Sequence, residues 1–306
     1  MLRTVVSGLG RIGWELSFDK KRQQPASHVN AILENPDMEL VAVCDINTDR
    51  LKTFSNMYPN IKTYVNFFSM IKDENPDVIV IATPDNMHCF QTLLSALCTN
   101  SKIIFCEKPI SDNIPNARKM VNVCKSRNVK LAINHTRRWM KEYRHVKEII
   151  DSKRLGTPVL FVGYYYGGLR DLVHLADLYN WLTPNIPYQF HNIPYRSHTS
   201  YMIFEQDIFF TDGRIRICDN GREIITYKSA ESEYYENIRE LFADEVYYNC
   251  NGYIGIKKMK DYKNNSKSPL ALAYEDIVKC ATTSKQPECT GEDGLKALEL
   301  SLEVMG

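Results

Sequence analysis

The feature that most restricts this chain is Gly8-Leu9-Gly10-Arg11-Ile12-Gly13, which directly follows a short apolar run at Arg3–Ser7. A strand that ends in Gly-x-Gly-x-x-Gly and opens a helix has few uses. The first glycine permits the tight turn, the second lets the backbone approach a pyrophosphate, and the third lets helix and strand pack closely. Free N–H groups at the helix start then face the phosphates. A glycine-rich turn of no consequence shares the motif but not this context. Gly8, Gly10, Arg11, Ile12 and Gly13 are therefore the expected contacts of a dinucleotide.

The residues that follow repeat a strand–helix alternation. Arg3–Ser7, Leu40–Cys44, Val78–Ala82, Ile103–Cys106 and Lys130–Ile133 are β-branched and nearly continuous in apolar residues. Parallel strands covered on both faces have that composition. Between them, Asn47–Tyr58, Met87–Leu97 and Ile114–Arg127 carry helical periodicity. The pattern predicts a doubly wound parallel sheet with right-handed crossovers.

After Asn134 the pattern changes. Trp139–Ser152 and Asp171–Leu182 read as helices around a long strand at Thr157–Tyr166. Gln189–Pro194, Tyr201–Glu205, Ile208–Thr211, Arg214–Cys218 and Glu223–Tyr227 then read as strands. The dipeptides Asp212-Gly213 and Asn220-Gly221 suit tight hairpins, so an antiparallel meander is expected. Irregular structure with some helix is expected over Tyr234–Ser268, and helices over Pro269–Ser284 and Gly291–Met305. The expected fold class is α/β. A Rossmann domain over 1–135 precedes an α+β domain over 136–306 with an open, mostly antiparallel sheet.

The 306 residues carry a net charge of +1, and no long basic run occurs. Neither nucleic acid nor a membrane is an expected partner; a small molecule held by a few placed charges is. Val5 and Val6 are followed at once by Gly8 and Gly10, so no apolar h-region forms and a secretory signal is not expected here. The nine cysteines form no CxxC pair, so reduced thiols in a cytoplasmic protein are expected, with no metal site.

Asp45 ends the second strand. A carboxylate there accepts hydrogen bonds from ribose hydroxyls and repels a 2′-phosphate, which favours NAD; Arg50 nearby keeps NADP open. The same residue could instead cap the next helix. Gly13 and Asp45 are further apart than the fingerprint usually sets them, and an insertion within Phe18–Ser27 accounts for the excess. Ligands sit at the C-terminal ends of such strands. Ile46, Thr83, Pro84, Asn86, His88, Glu107 and Lys108 lie at or just beyond those ends and complete the expected cofactor contacts. Lys108, fixed by Pro109, can place a cation beside the nicotinamide and a substrate oxygen, or can be half of a solvated Glu-Lys pair.

The chain resembles the Gfo/Idh/MocA oxidoreductase family. The resemblance rests on Gly8–Gly13, the Val41–Asp45 strand, Thr83-Pro84-Asp85 with His88, Glu107-Lys108-Pro109, and Asn134 with Arg137-Arg138. It continues through Leu155-Gly156, His174-Leu175-Ala176-Asp177 and Thr290-Gly291-Glu292-Asp293-Gly294-Leu295. The family likeness implies a Rossmann domain, an antiparallel sheet domain and NAD(P)(H) between them. It implies a sugar, cyclitol or nucleotide sugar as substrate, and a homodimer or homotetramer formed through the sheet. It also implies a closing helix that returns to the first domain, and active-site roles for Lys108 and His174.

Oxidation of an alcohol requires loss of the hydroxyl proton as the hydride leaves, and histidine suits that role. His174 is the expected acid/base group, with Lys108 polarising the reacting oxygen. Asp171 or Asp177, three residues to either side on the helix, could orient the imidazole. The family often has an aspartate four residues before the histidine; here Arg170 stands there and Asp171 follows it. Arg170 suits an acidic substrate, since a guanidinium binds carboxylate or phosphate bidentately. Asn134, Arg137, Arg138, Arg170, Asp171 and His174 are the expected substrate contacts. Two other readings stay open: a cofactor- or sugar-sensing regulator of the same fold, and an enzyme that never releases its cofactor.

Overall fold

The computed structural model describes residues 1–194, 202–234, 236–248 and 267–306. In chain order the first elements are β1 (Leu2–Ser7), α1 (His28–Leu33), β2 (Met38–Cys44), α2 (Thr48–Met57), β3 (Lys62–Tyr64) and α3 (Phe67–Glu74). β4 (Val78–Ile81), α4 (Asp85–Cys98), β5 (Ile103–Cys106), α5 (Ile114–Ser126) and β6 (Lys130–Ile133) follow. Next come α6 (Lys141–Asp151), β7 (Pro158–Tyr165), α7 (Leu169–Leu182) and β8 (Tyr188–Asn192). The last are β9 (Glu205–Phe210), β10 (Gly213–Cys218), β11 (Glu223–Glu231), β12 (Arg239–Tyr248), α8 (Pro269–Thr282) and α9 (Gly291–Met305).

The chain divides into two compact units, Met1–Thr136 with Asn265–Glu299, and Arg137–Asn264 with Leu300–Gly306. From sequence, one boundary falls near 135. In the structure α8 and most of α9 group with the first unit, where α8 packs against α1 and β5.

The first unit is a parallel sheet in the order β3-β2-β1-β4-β5-β6. This is the doubly wound order, and it reverses between β1 and β4. Every residue of β4 and β5 is buried, as helices on both faces of a parallel sheet require. Asn47, Asn66 and Asn113 cap α2, α3 and α5 by accepting backbone N–H groups, which satisfies donors that have no partner within a helix. β3 and α3 are absent from the sequence-based expectation. β3 is a three-residue edge strand of Lys62, Thr63 and Tyr64 with no apolar run to announce it.

The second unit is a six-stranded sheet in the order β12-β11-β10-β9-β7-β8. All its pairings are antiparallel except β7 with β8. α7 supplies Leu172, Leu175 and Leu178 to a core that also holds Phe161, Ile208 and Ile215. The two strands expected at Tyr201–Glu205 and Ile208–Thr211 are one, β9; Met202–Phe204 lie in no strand and Tyr201 is outside the described residues. Asp207 interrupts the apolar pattern, yet the strand runs through because Arg214 on β10 pairs with it at 2.6 Å. The expectation for Tyr234–Ser268 also needs correction. β12 occupies Arg239–Tyr248, while residues 235 and 249–266 lie outside the description. A register shift between Thr226 and Tyr227 breaks the alternation along this pair, and alternation is what sequence reading relies on. Among the described residues no helix is long and apolar enough to cross a membrane.

Candidate active site

Gly8 leaves β1 at φ +97°, and a Cβ there would lie 2.5 Å from the carbonyl oxygen of Ala82. A Cβ on Gly13 would lie 1.9 Å from the carbonyl oxygen of Gly8. Both positions exclude a side chain because backbone already fills the space. Gly10 differs, since a Cβ there would meet nothing within 4 Å. The turn is thus packed at its first and third glycines and open at its second, the arrangement a pyrophosphate needs. Arg11 is exposed and Ile12 half-buried beside this opening.

The helix expected after Gly13 is interrupted. The N–H of His28 donates to the Ile12 carbonyl at 2.9 Å, and that of Val29 to Gly13 at 3.0 Å. Ile12 and His28 lie sixteen positions apart where an α-helix uses four, so twelve residues are inserted into one turn. Gly13 and Asp45 are thirty-two positions apart; without the twelve the interval is twenty, matching the fingerprint's usual spacing of about 20. The looped-out segment follows buried Trp14, whose ring meets Phe54 edge-on at 5.2 Å.

Asp45 is buried at the end of β2. Its Oδ2 accepts the Leu9 N–H of the glycine turn at 2.7 Å and its Oδ1 accepts the Asn47 N–H at 2.8 Å. The cap of α2 is Asn47 and not Asp45. A carboxylate has about four lone-pair sites, so acceptor capacity is left for ribose hydroxyls. Arg50 lies 4.0 Å from Asp45 and is held at 3.0 Å by Glu15 of the inserted segment. Ile46 is 92% exposed beside it.

At the ends of β4 and β5 two loops are tied together. His88 is buried, with Nε2 2.9 Å from the Thr83 carbonyl and Nδ1 2.9 Å from the Pro109 carbonyl. It therefore links the Thr83-Pro84 loop to the Glu-Lys-Pro loop. Pro84 stands at the start of α4, and Asn86 is exposed in its first turn. Glu107 is buried. Its Oε1 accepts from Asn134 Nδ2 at 2.6 Å and meets His28 Nε2 at 3.0 Å, and its Oε2 accepts the Lys108 N–H at 3.3 Å. Burial opposes ionisation of Glu107, but the His28 hydrogen bond, aided by Asn134 and the Lys108 charge, outweighs it and holds the carboxyl below its usual range. His28 Nδ1 meets the Tyr274 hydroxyl at 2.8 Å. Lys108 is half-buried.

Asn134, expected at the substrate, is buried against Glu107. His28 and Tyr274 were not anticipated. The signal for His28 was the excess spacing after Gly13; subtracting the insertion places it one turn beyond Ile12.

In the second unit, Arg138 and Asp177 are 3% and 1% exposed on their side chains and pair bidentately, with contacts of 2.7 and 3.1 Å. Arg138 is thus an internal ion pair, and Asp177 is engaged by it. Arg137 is half-buried, stacked 3.9 Å over the Phe204 ring and hydrogen-bonded to the Tyr143 hydroxyl. On α7, Arg170 is exposed, while Asp171 and His174 are half-buried. The Asp171 carboxylate lies over Gly167, close enough that a Cβ there would be 2.4 Å away, short of contact distance. Among the described residues no group of three or more His, Cys, Asp or Glu could hold a metal ion.

The open glycine turn, the acidic end of β2 and the 3-2-1-4-5-6 sheet define an NAD-binding Rossmann unit. Residues 2–135 match the model of the GFO_IDH_MocA family, an oxidoreductase family with an NAD-binding Rossmann fold. Over these residues, somewhat less than half of its length, the chain is similar to the Gfo/Idh/MocA oxidoreductases. It is 28% identical over 157 residues to a myo-inositol 2-dehydrogenase of Thermotoga maritima, covering 51% of this chain and 43% of that one. It is 32% identical over 131 residues to an inositol 2-dehydrogenase of Rubrobacter xylanophilus, covering 42% and 37%. The chain thus spans less than half the length of these relatives. In fold it is similar over 99% of its length to a myo-inositol 2-dehydrogenase of Lactobacillus plantarum, at TM-score 0.72 and 19% identity, covering 96% of that chain. The WlbA dehydrogenase of Bordetella pertussis, solved with NADH and UDP-GlcNAcA, gives TM-score 0.69 at 17% identity over 99% of this chain and 94% of that one.

Proposed function

We propose that this protein is an NAD-dependent oxidoreductase that moves a hydride between nicotinamide and a hydroxyl or keto carbon of a sugar, cyclitol or nucleotide sugar. The observation that carries the reading is the glycine turn, sterically closed at Gly8 and Gly13, open at Gly10, and pinned by Asp45. Gly10, Arg11 and Ile12 line the place for the pyrophosphate, and Asp45 receives ribose hydroxyls. Ile46 offers an apolar surface to the adenine. Thr83, Pro84, Asn86, Glu107 and Lys108 serve the nicotinamide end, with His88 holding their loops together. When bound, NAD supplies the ring that accepts or returns the hydride. In oxidation the substrate C–H pair leaves as hydride, the hydroxyl proton passes to His174, and a C=O bond forms; reduction is the reverse. Lys108 polarises the reacting oxygen and Asp171 is the carboxylate proposed to orient His174. Arg137 and Arg170 serve the substrate, and Arg138 holds the frame through Asp177.

Glu15 and Asp45 both face Arg50 with negative charge, which favours NAD over NADP. Assembly through the open sheet is part of the proposal, supported by exposed Leu241, Phe242 and Val246 on β12. Eight free cysteines among the described residues suit a reducing compartment such as the cytoplasm. The test is NAD(H) and NADP(H) binding by thermal shift, followed by a turnover scan across sugars, cyclitols and nucleotide sugars read at the nicotinamide absorbance. Turnover abolished by Lys108→Ala and by His174→Ala supports the reading. Tight cofactor binding with no turnover on any substrate replaces it with a sensor or a retained-cofactor enzyme.

A further inference from the structure

We propose that His28, backed by Tyr274, is a positioning residue for Lys108, acting through the carboxylate of Glu107; the proposal rests on the dehydrogenase reading above. Tyr274, His28, Glu107 and Asn134 form one buried chain of hydrogen bonds drawn from α8, α1, the end of β5 and the end of β6. An ionised carboxylate only accepts, so His28 donates from Nε2 to Glu107, and its Nδ1 meets the Tyr274 phenol on the other side of the ring. That phenol keeps its proton, because burial and the Glu107 charge push its pKa well up. Two further titratable groups face Glu107: Lys108, whose charge favours the ionised carboxylate, and the buried Cys106 thiol, which burial, with Glu107 adding to it, holds in the neutral form. The His28, Phe105 and Tyr274 rings meet edge to face at 5.5 to 5.8 Å, which fixes the imidazole plane.

A buried carboxylate is a poor way to hold helices on a sheet; apolar contacts would do so without the desolvation penalty. Its position explains it better. Glu107 immediately precedes Lys108, accepts that residue's N–H, and places a fixed negative charge near its ammonium. His28 in turn hangs by its own N–H from Ile12 of the glycine turn. One residue therefore ties the dinucleotide turn to the loop that carries the proposed catalytic lysine.

The test compares His28→Phe, His28→Gln and Tyr274→Phe. Glutamine can donate to Glu107 and accept from Tyr274, so it is the conservative rescue. The Lys108 amine is followed by NMR after 13C-methylation, with Lys108→Arg assigning its resonance; NADH affinity, kcat and KM are measured on the unlabelled proteins. NADH affinity is expected to stay within about threefold in all three. In His28→Phe the Lys108 resonance moves, and kcat falls about a hundredfold with KM little changed, the order expected for displacing a catalytic group by about an ångström. His28→Gln recovers most of the loss, and Tyr274→Phe loses about tenfold. An unmoved Lys108 resonance, an unchanged kcat, or a loss that His28→Gln fails to rescue overturns the proposal. If the wild-type protein turns over no substrate, the dehydrogenase reading fails separately, and the Lys108 resonance alone decides whether His28 positions the lysine.

Discussion

The N–H of His28 donates to the carbonyl of Ile12 at 2.9 Å, closing a helical turn across sixteen positions of sequence. The glycine turn and α1 are therefore one helix start with a loop spliced into it. Excising Glu15–Ala26, twelve residues, brings His28 to four positions after Ile12. NADH affinity in the excised protein should stay within about threefold of wild type, measured by fluorescence titration. The melting temperature should fall, because the packing of Trp14 on Phe54 is disturbed. A more than tenfold loss of affinity in a folded protein would show that the inserted loop itself holds the dinucleotide.

The three glycines should separate by phenotype. Gly13→Ala drives a methyl group into the Gly8 carbonyl, and a backbone clash of that kind should cost about 3 kcal/mol or more. Gly10→Ala meets open space and should change stability by less than about 1 kcal/mol, yet weaken NADH binding at least about tenfold by blocking the approach of the pyrophosphate. Denaturant unfolding and NADH titration on the two variants check this. Equal loss of stability would contradict it.

The fold was legible where local pattern and tertiary role agree. Val78–Ile81 and Ile103–Cys106 are apolar on every residue because both faces are covered, and the glycine fingerprint announces itself by steric need. Legibility failed where a contact distant in sequence decides. Nothing near Arg138 says that it meets Asp177 while Arg137 turns to Phe204 and Tyr143. Nothing near Asn134 says that it serves Glu107, and Tyr274 reaches His28 from 246 positions away. Asp207 looked like a strand break because its partner, Arg214, lies on the next strand. Lys62–Tyr64 and the bulged β11–β12 pair lack the alternation that periodicity can detect.

Cofactor choice should turn on Glu15 as well as Asp45. Glu15 holds Arg50 at 3.0 Å and so occupies the cation best placed to meet a 2′-phosphate. Glu15→Ala should raise NADPH affinity by about fivefold, roughly 1 kcal/mol, and leave NADH affinity little changed. Asp45→Ala should weaken NADH, because the Leu9 N–H loses its acceptor as well. Paired titrations with the two cofactors read both effects. An unchanged NADPH/NADH ratio in Glu15→Ala would remove Arg50 from cofactor discrimination.

The Arg138–Asp177 pair is buried, so breaking it should be costly and replacing it should not. Asp177→Ala removes the carboxylate that Arg138 meets bidentately in a buried place and should cost about 3–5 kcal/mol. Arg138→Met with Asp177→Leu should recover most of that, since an apolar pair of similar volume avoids desolvation. Chemical denaturation of the single and double variants measures the difference. A double variant as unstable as the single one would mean that the pair does more than fill space.

Buried carboxylates of opposite tendency should reverse their effects with pH. Glu107 and Glu74 are held below the usual range. For each, burial opposes ionisation but hydrogen bonds from His28 and Asn134, or from Lys62 and Tyr64, outweigh it. A depressed folded value gives stability that is present above the unfolded value, about 4.3 for Glu, and is lost as pH falls through the folded value. Glu142, 2% exposed in the first turn of α6, is pushed up by burial. Its contribution is present below the unfolded value and lost as pH rises through the folded one. Glu142→Gln should therefore raise the melting temperature at pH 7 by about 2 °C, with the gain vanishing below about pH 4.3. Glu107→Gln should lower it at pH 7, with the deficit narrowing over the same acid range. Melting curves of both variants from pH 3.5 to 7, taken against wild type, read the two slopes, and slopes of the same sign would show that burial does not govern Glu142.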